Sequence, residues 1–495
     1  MRELFDAELN LKDLAMDRAA LQAAVQRADV LVPTITDVID ADLINGAGEQ
    51  LKMIANFGAG VDHIDIEAAV ALDPGSALLR AYLGKAYFEE IRDDLAAQQY
   101  GIARELDPLD PTAYLYDAIL KQTQNRPVEA LRDLEESIAR NDNRAIYRSR
   151  LALDQDRAAR GTSLARIYQD LGFLDIGGNE AAKSLALDPG NAAAHRFLSD
   201  IYGGERRREI ARVSELLQAQ LLQDVNINPV QPSLSEANLN VATRGGPADA
   251  GFNEFTPLFE RNRTQLNATG VLGNEETRGG EAVVSAVHDG ISVSAGAFGY
   301  ETDGFRDNNG FEHEVYNVFF QAAITPQLNA QLEFRHRDSN EGDLAFNFDP
   351  DDFLRDKRRD LDQDIARLGL RYTPAPGSDF LLSVIGSDRK EKVRQTEPFD
   401  VFEVASDASA DDEAVQIEGQ HLWRRDRFNL TSGLAYTDVD RELDTSIALD
   451  GLPLVDEQGV PEDIYHARGY AYGNLRLPQP VTWTLGLSFD DYEQE

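Results

Sequence analysis

The sequence predicts a multidomain chain: a partial α/β segment at residues 1–70, an all-α repeat solenoid at 72–222, a linker at 223–253, and an incomplete antiparallel β-barrel of about eleven strands at 254–495. Three observations carry this reading. Short apolar runs alternate with helical spacing in the first 70 residues, boundary phrases recur at a fixed period in the middle, and from Asn262 onward apolar residues occupy every second position over long stretches.

The composition sets limits. Of 495 residues, 48 are basic and 87 acidic, a formal charge of −39. That excess argues against nucleic acid as a partner, since a phosphate backbone calls for Lys and Arg, and against an anionic membrane surface. With no cysteine, the chain has no disulfide, thiolate metal site or Cys nucleophile. The opening MRELFDAELNLKDLAM lacks the basic start and apolar run of a secretory signal. No apolar run reaches the roughly 18 residues of a transmembrane helix, which leaves a closed β-barrel as the available spanning structure.

In the first segment, residues 21–27 have helical spacing and Val30-Leu31-Val32-Pro33 fits a buried parallel strand. Residues 39–47 read as a second helix and residues 51–55 as a second strand. The stretches ADVLVPTITDVID (28–40) and LKMIANFGAGVDHIDIEAA (51–69) resemble the substrate domain of D-isomer-specific 2-hydroxyacid dehydrogenases of the glyoxylate reductase and glycerate dehydrogenase type. The resemblance implies that backbone N–H groups at Ala59 and Gly60 would face a substrate carboxylate, since a missing Cβ allows close approach. The same family uses NAD(P) bound at a GxGxxG turn, and no GxGxxG occurs here. The family's catalytic Arg, Glu and His have no counterparts in the matching stretch, and His63 is not that His. The expectation is a vestigial segment with no catalytic residues and no cofactor.

The middle segment repeats. Counted from Ala77, Leu83, Gly84, Tyr87, Ala96, Tyr100, Ala103 and Pro108 fall at positions 7, 8, 11, 20, 24, 27 and 32 of a 34-residue unit. This resembles the tetratricopeptide pattern of two helices per repeat. Small residues at 8 and 20 let the helices approach, large ones at 11 and 24 fill the groove between repeats, and the proline ends the second helix. The unit from Pro111 places Ala118, Ala130 and Leu134 at positions 8, 20 and 24. Later units carry Ala165, Tyr168, Ala181 and Pro189, then Tyr202 and Ala211. About thirteen extra residues, 145–157, separate the second and third units and predict an inserted helix or irregular repeat. Three to four repeats suffice for a solenoid, whose expected partners are proteins docking on its surface.

In the last segment Phe428, Leu430, Ser432, Leu434 and Tyr436 share one face, and Val481, Trp483, Leu485, Leu487 and Phe489 another. Leu328, Ala330, Leu332 and Phe334 alternate with polar residues in the same way. Tight connections are expected at 288–290, 325–327, 373–379, 424–427 and 477–480, and long acidic ones at 301–312, 337–362, 388–412 and 438–463. Short turns on one side and long loops on the other is the outer-membrane barrel pattern, with lipid around the wall and Arg335, Arg337, Arg367, Arg371 and Arg476 turned into the lumen. A soluble β-sandwich is the alternative. The odd strand count and the ending Phe489-Asp490-Asp491-Tyr492 predict a barrel cut short, with an unpaired edge.

The stretches REIARVSELLQAQLLQDVNINPVQP (208–232), FNEFTPLFERNR (252–263) and YETDGFRDNNG (300–310) resemble bacterial proteins that join periplasmic tetratricopeptide repeats to an outer-membrane barrel. The layout is shared with exporters of cellulose and poly-N-acetylglucosamine. By resemblance the expected place is the outer membrane and periplasm; with no signal peptide, the chain as written is expected to stay cytoplasmic or unexported.

Other chemistry is thin. Asp349, Asp351, Asp352, Asp356 and Asp360 could hold Ca²⁺ but fit no EF-hand spacing and read as a solvated loop. The seven histidines show no metal-ligand spacing; His313-Glu314 does not open HExxH, and neither GxSxG nor a P-loop occurs. The expected function is a non-enzymatic envelope protein in polymer or polysaccharide export or envelope assembly, without metal or cofactor. The alternatives are an NAD(P)-dependent 2-hydroxyacid dehydrogenase relative and a soluble repeat adaptor.

Overall fold

The computed structural model describes residues 16–33, 37–48, 50–51, 53–54, 63–146, 148–202, 214–215, 218–222, 262–345, 349, 351–399, 402–478 and 481–494. Contacts divide the chain into two compact units, Met1–Ser149 with Gly246–Gly251, and Arg150–Gly245 with Phe252–Glu495.

The first unit opens with α1 (Arg18–Val25), β1 (Val30–Leu31), α2 (Ala41–Asn45), β2 (Met53–Ile54) and α3 (Ile66–Leu72). β1 and β2 pair in parallel, Val30 opposite Met53, and an isolated parallel bridge joins Ile39 to Ile64. Each helix starts on an aspartate: Asp17, Asp40 and Asp65 accept from the backbone N–H of Ala20, Leu43 and Ala68. Such caps satisfy N–H groups that the helix itself leaves unpaired. Leu21, Val25, Leu31, Ile39, Leu43 and Ile44 form the buried core of this small layer.

Four helices follow: α4 (Ala77–Glu89), α5 (Asp93–Leu106), α6 (Thr112–Thr123) and α7 (Pro127–Ala139). The turn inside each repeat holds one residue in the left-handed region, Ile91 at φ 60° and Asn125 at φ 58°. They lie 34 residues apart, so the sequence period is also a backbone period. At the matching turn of the second unit Gly172 adopts φ 85°. It comes later by the length of the insert, which the structure spends on a 3-10 turn (Asn141–Ile146) and on lengthening the next helix, α8 (Arg150–Asp170), to 21 residues. Gly and Asn tolerate this conformation, whereas a β-branched side chain pays about 1–2 kcal/mol. Ile91→Gly is therefore expected to raise stability by about 1 kcal/mol. Thermal unfolding followed by circular dichroism checks this; an unchanged or lower midpoint would count against strain at Ile91.

The second unit contains α8, α9 (Leu174–Leu187), α10 (Ala192–Tyr202), further helical turn at 214–215 and 218–221, and the sheet. Ala165, Ala181, Phe197 and Leu198 form the core between its helices. The sheet holds eleven strands in chain order: β3 (Arg263–Leu272), β4 (Arg278–His288), β5 (Ile291–Thr302), β6 (Phe311–Thr325), β7 (Leu328–Glu341), β8 (Arg358–Ala375), β9 (Ser378–Phe399), β10 (Phe402–Arg425), β11 (Phe428–Leu449), β12 (Leu452–Leu475) and β13 (Trp483–Gln494). Every neighbouring pair is antiparallel. Among the described residues β3 and β13 are unpaired edges, so the sheet is open.

The connections differ from expectation on one side. Among the described residues, pairing continues through the stretches expected as long loops at 388–412 and 438–463, with Asp388 opposite Glu413, Arg394 opposite Asp407 and Glu442 opposite Asp411. These stretches are charged hairpin extensions. Opposite charges on facing strands hold them, as Arg394 and Lys392 meet Asp407, and Arg389 and Arg441 meet Asp412. The stretches at 301–312 and 337–362 do contain loops, at 303–310 and, among the described residues, at 342–345 and 351–357. No helix among the described residues is long and apolar enough to cross a membrane.

Candidate functional site

Strand alternation sorts the sheet's side chains onto two faces. The outward face carries an apolar band. On β11 it runs Phe428, Leu430, Ser432, Leu434, Tyr436; the cross-strand partners of these residues on β10 include Trp423, Gly419 and Ile417, and on β12 Leu475, Gly473, Ala471, Gly469 and Ala467. On β6 and β7 it holds Tyr316, Val318, Phe320, Leu332 and Phe334, all exposed. On β13 Leu485, Leu487 and Phe489 are 70%, 79% and 68% exposed. Residues 428–436 rise about 3.3 Å each and, tilted by about 40°, cover about 23 Å, close to the band of a membrane barrel. Aromatic rings mark its rims, with Tyr372, Phe380, Trp423, Phe428 and Trp483 near the short turns and Tyr316, Phe334, Tyr436 and Phe489 at the far side.

Beyond the far rim the outward face turns acidic. Asp364, Asp388, Glu413, Asp440 and Asp463 are successive direct cross-strand partners across β8–β12. Like charges directly opposite repel, so this row belongs in water and bounds the apolar band. At its β7 end His336 Nδ1 lies 3.0 Å from Asp364 Oδ1, and with Asp362 these form a three-ligand cluster. The sequence spacing of the histidines did not reveal it, because register rather than sequence proximity places His336 opposite Asp364. In the acidic stretch read as a solvated loop, Asp356 accepts from the Thr396 N–H, and Asp349 from Asp351 N.

The inward face is polar and buried. Gln321, Gln331, Glu333, Arg335 and Arg367 are each at most 6% exposed. Glu333 pairs with Arg367 and accepts from Asn317 Nδ2. Beside these, Leu221 enters a cluster with Ile365, Leu381, Ile385 and Leu422, and Gln331 Nε2 donates to Gln220 O at 2.7 Å.

At the short-turn end the inward side chains hold the helices. Asp379, with no exposed surface, accepts from Arg371 Nε at 2.9 Å, Thr373 Oγ1 at 2.7 Å and Arg424 Nη2 at 2.6 Å. Arg424 Nη1 reaches on to Asp188, just past the end of α9, at 3.0 Å. Arg371 Nη1 donates to Leu222 O at 3.1 Å. Arg424, Asn429 and Asn474 are one cross-strand row on β10–β12. Asn429 Nδ2 donates to Leu187 O at 2.7 Å and Asn474 Nδ2 to Ala186 O at 3.2 Å, which fills the orphan carbonyls at the end of α9. Arg476 pairs with buried Asp154 of α8.

His195 of α10 ties the helical part together. Its Nδ1 faces Glu215 and its Nε2 lies 3.0 Å from Pro189 O, so both ring nitrogens meet acceptors. Burial pushes its pKa down, but the Glu215 carboxylate, the Pro189 carbonyl and Asp188 outweigh this and raise it above the ordinary value. A raised folded-state pKa contributes stability that is full below the unfolded value of about 6.5 and is lost as pH rises through the folded value. The packing of residues 214–215 and 218–222 is therefore expected to loosen at alkaline pH, and His195→Gln to flatten that dependence. Amide exchange of this segment against pH checks it; equal slopes for the two proteins would refute the role of His195.

The residues singled out in the repeats fall as follows. Ala96, Ala118 and Ala130 are fully buried and Tyr100 is 1% exposed. A Cβ at Gly84 would stand 2.4 Å from Tyr100 Cε1, so only glycine allows this approach. Tyr87 is half-buried, its hydroxyl donating to Glu67 at 2.8 Å. Tyr168 is half-buried, Pro108 is exposed and Pro189 is buried. Ala59 and Gly60 lie outside the described residues, as do Ala211 and the linker at 223–253. Of the five arginines expected inward, Arg371 and Arg476 meet the helices and Arg367 meets Glu333.

Comparison with known proteins separates the segments. Residues 1–73 match the family D-isomer specific 2-hydroxyacid dehydrogenase, catalytic domain. A protein of Staphylococcus epidermidis named as a 2-hydroxyacid dehydrogenase is 36% identical over 69 residues, 14% of this chain and 22% of that protein. One of Staphylococcus aureus is 38% identical over the same length. The chain thus spans about a fifth of the length of these relatives. Among solved structures, MamA has a TM-score of 0.25 at 20% identity, over 31% of this chain and 82% of its own. The ferric-catecholate import receptor Fiu of E. coli has a TM-score of 0.38 at 13% identity, over 47% of this chain and 45% of its own. The dehydrogenase resemblance is thus confined to the first 73 residues, 14% of the chain by the matched relatives.

Proposed function

We propose that this chain is a non-enzymatic envelope protein whose sheet forms barrel wall in a bacterial outer membrane, with the helices of the same unit, α8–α10, on the periplasmic, short-turn side. The observation that carries this is the outward apolar band, rimmed by aromatic rings and ended by a row of facing carboxylates. In water so large an apolar surface would drive aggregation, whereas lipid matches it. The buried polar inward face suits passage of a hydrophilic cargo, and export of a polymer such as a polysaccharide is the reading we favour. Repeat helices offer protein partners a surface.

The test is migration of the purified full chain in detergent gels with and without boiling, with insertion into liposomes. A faster unboiled form that cofloats with lipid supports the membrane reading; one migration position and no cofloating would refute it. The match over residues 1–73 supports a second reading as a dehydrogenase relative. NADH fluorescence titration decides between them, and saturable binding would move the function to the N-terminal segment.

A further inference from the structure

The inward residues at the short-turn end of β8–β12 do not face open space. Arg371, Asp379, Arg424, Asn429, Asn474 and Arg476 each belong to a network that ends on helical residues: Leu222, Asp188, Leu187, Ala186 and Asp154. Three independent helical stretches are held in this way, α8, the end of α9 and the turn at 218–222. The same face receives Leu221 as an apolar stopper among Ile365, Leu381, Ile385 and Leu422. A Cβ at Gly369 would stand 2.8 Å from Leu221 Cδ2, and one at Gly190 would stand 2.3 Å from Arg424 Nη1. Both sides of the contact therefore carry a glycine where the other approaches.

We infer that the helical end of this unit is a built-in plug of the sheet's short-turn mouth, latched by Arg424 to Asp188 and by Arg476 to Asp154. The inference rests on the membrane reading above and adds that the resting protein is closed by its own chain. The latch is polar and made of separate bonds, while the sheet beneath it is a continuous ladder. Release can therefore leave the wall intact. Breaking a buried pair by removing one partner shifts such an equilibrium by roughly a hundredfold or more. Pairs with this little exposure are weakly screened, so added salt alone opens the plug much less than substitution does.

The experiment is KCl conductance of the full chain in planar bilayers, for the wild type and for Arg424→Met with Arg476→Met, which keep side-chain length and remove charge. Wild type is expected to insert and conduct rarely, and the double variant to be open roughly a hundredfold more of the time. The chain has no cysteine, so Asp154→Cys with Arg476→Cys gives a unique pair for a short bis-maleimide. Cross-linking is expected to return that otherwise released variant to the closed level. Should the arginine variant fail to fold, Asn429→Ala with Asn474→Ala releases the end of α9 without touching a charge. Insertion with equal conductance in the wild type and in whichever release variant folds would overturn the plug and leave the membrane reading standing. Absence of insertion, with no heat-modifiable form, would overturn both.

Discussion

Asp379→Ala is expected to destabilise the second unit by about 3–5 kcal/mol, the largest single effect in the sheet. The carboxylate is fully buried and gathers Arg371, Thr373 and Arg424. Its removal leaves two guanidinium groups short of their shared anion. Arg424 keeps Asp188 and Arg371 keeps the Leu222 carbonyl, so the charges are not abandoned altogether. Asp379→Asn retains acceptors and should lose less. The chain has two tryptophans, and both report the short-turn end: Trp423 is the cross-strand partner of Ser378, next to Asp379, and Trp483 opens β13. Guanidinium titration in detergent, followed by tryptophan emission, measures the loss. A change below about 1 kcal/mol would place Asp379 among ordinary surface pairs.

In the first unit Tyr100→Ala is expected to cost about 3–5 kcal/mol, because a fully buried aromatic ring leaves a cavity between helices that cannot fully collapse. The ring touches the Gly84 backbone, stacks near Tyr116 at 6.4 Å between centroids and packs with Ala96 and Leu120. Its hydroxyl is buried without a hydrogen-bond partner. Tyr100→Phe is thus expected to be neutral or slightly stabilising, since it removes an unmet polar group and keeps the ring. Gly84→Ala, which places a methyl into that ring, should cost about 1–3 kcal/mol. Circular dichroism melts of the three variants rank them, and a Tyr100→Phe loss as large as Tyr100→Ala would show that the hydroxyl, not the ring, carries the contact.

Legibility differed between segments for physical reasons. The repeats were readable because each unit reuses one packing solution. Gly84 against Tyr100 and buried Ala96, Ala118 and Ala130 recur at a fixed offset, and the left-handed turns at Ile91 and Asn125 share the 34-residue step. Strand alternation was equally readable, and among the described residues eleven strands stand where about eleven were expected. The acidic stretches at 388–412 and 438–463 looked like loops because charge usually marks loops. There the charges alternate too, and facing strands pair Arg394 with Asp407 and Arg441 with Asp412. That pairing depends on register, which no single strand contains.

By itself the sequence determined which residues are apolar, at what period, and hence the order of an α/β layer, helical repeats and long antiparallel strands. It also determined that Arg371 and Arg476 would turn inward, because alternation is a local property of extended backbone. Only the tertiary structure decided what they meet. The Asp379–Arg424–Asp188 chain links residues far apart in sequence. The His336–Asp362–Asp364 cluster and the row from Asp364 to Asp463 exist through cross-strand register alone. Local physics writes the period of a chain; long-range register and docking write its charge networks, because these depend on distances that only the folded chain brings within reach.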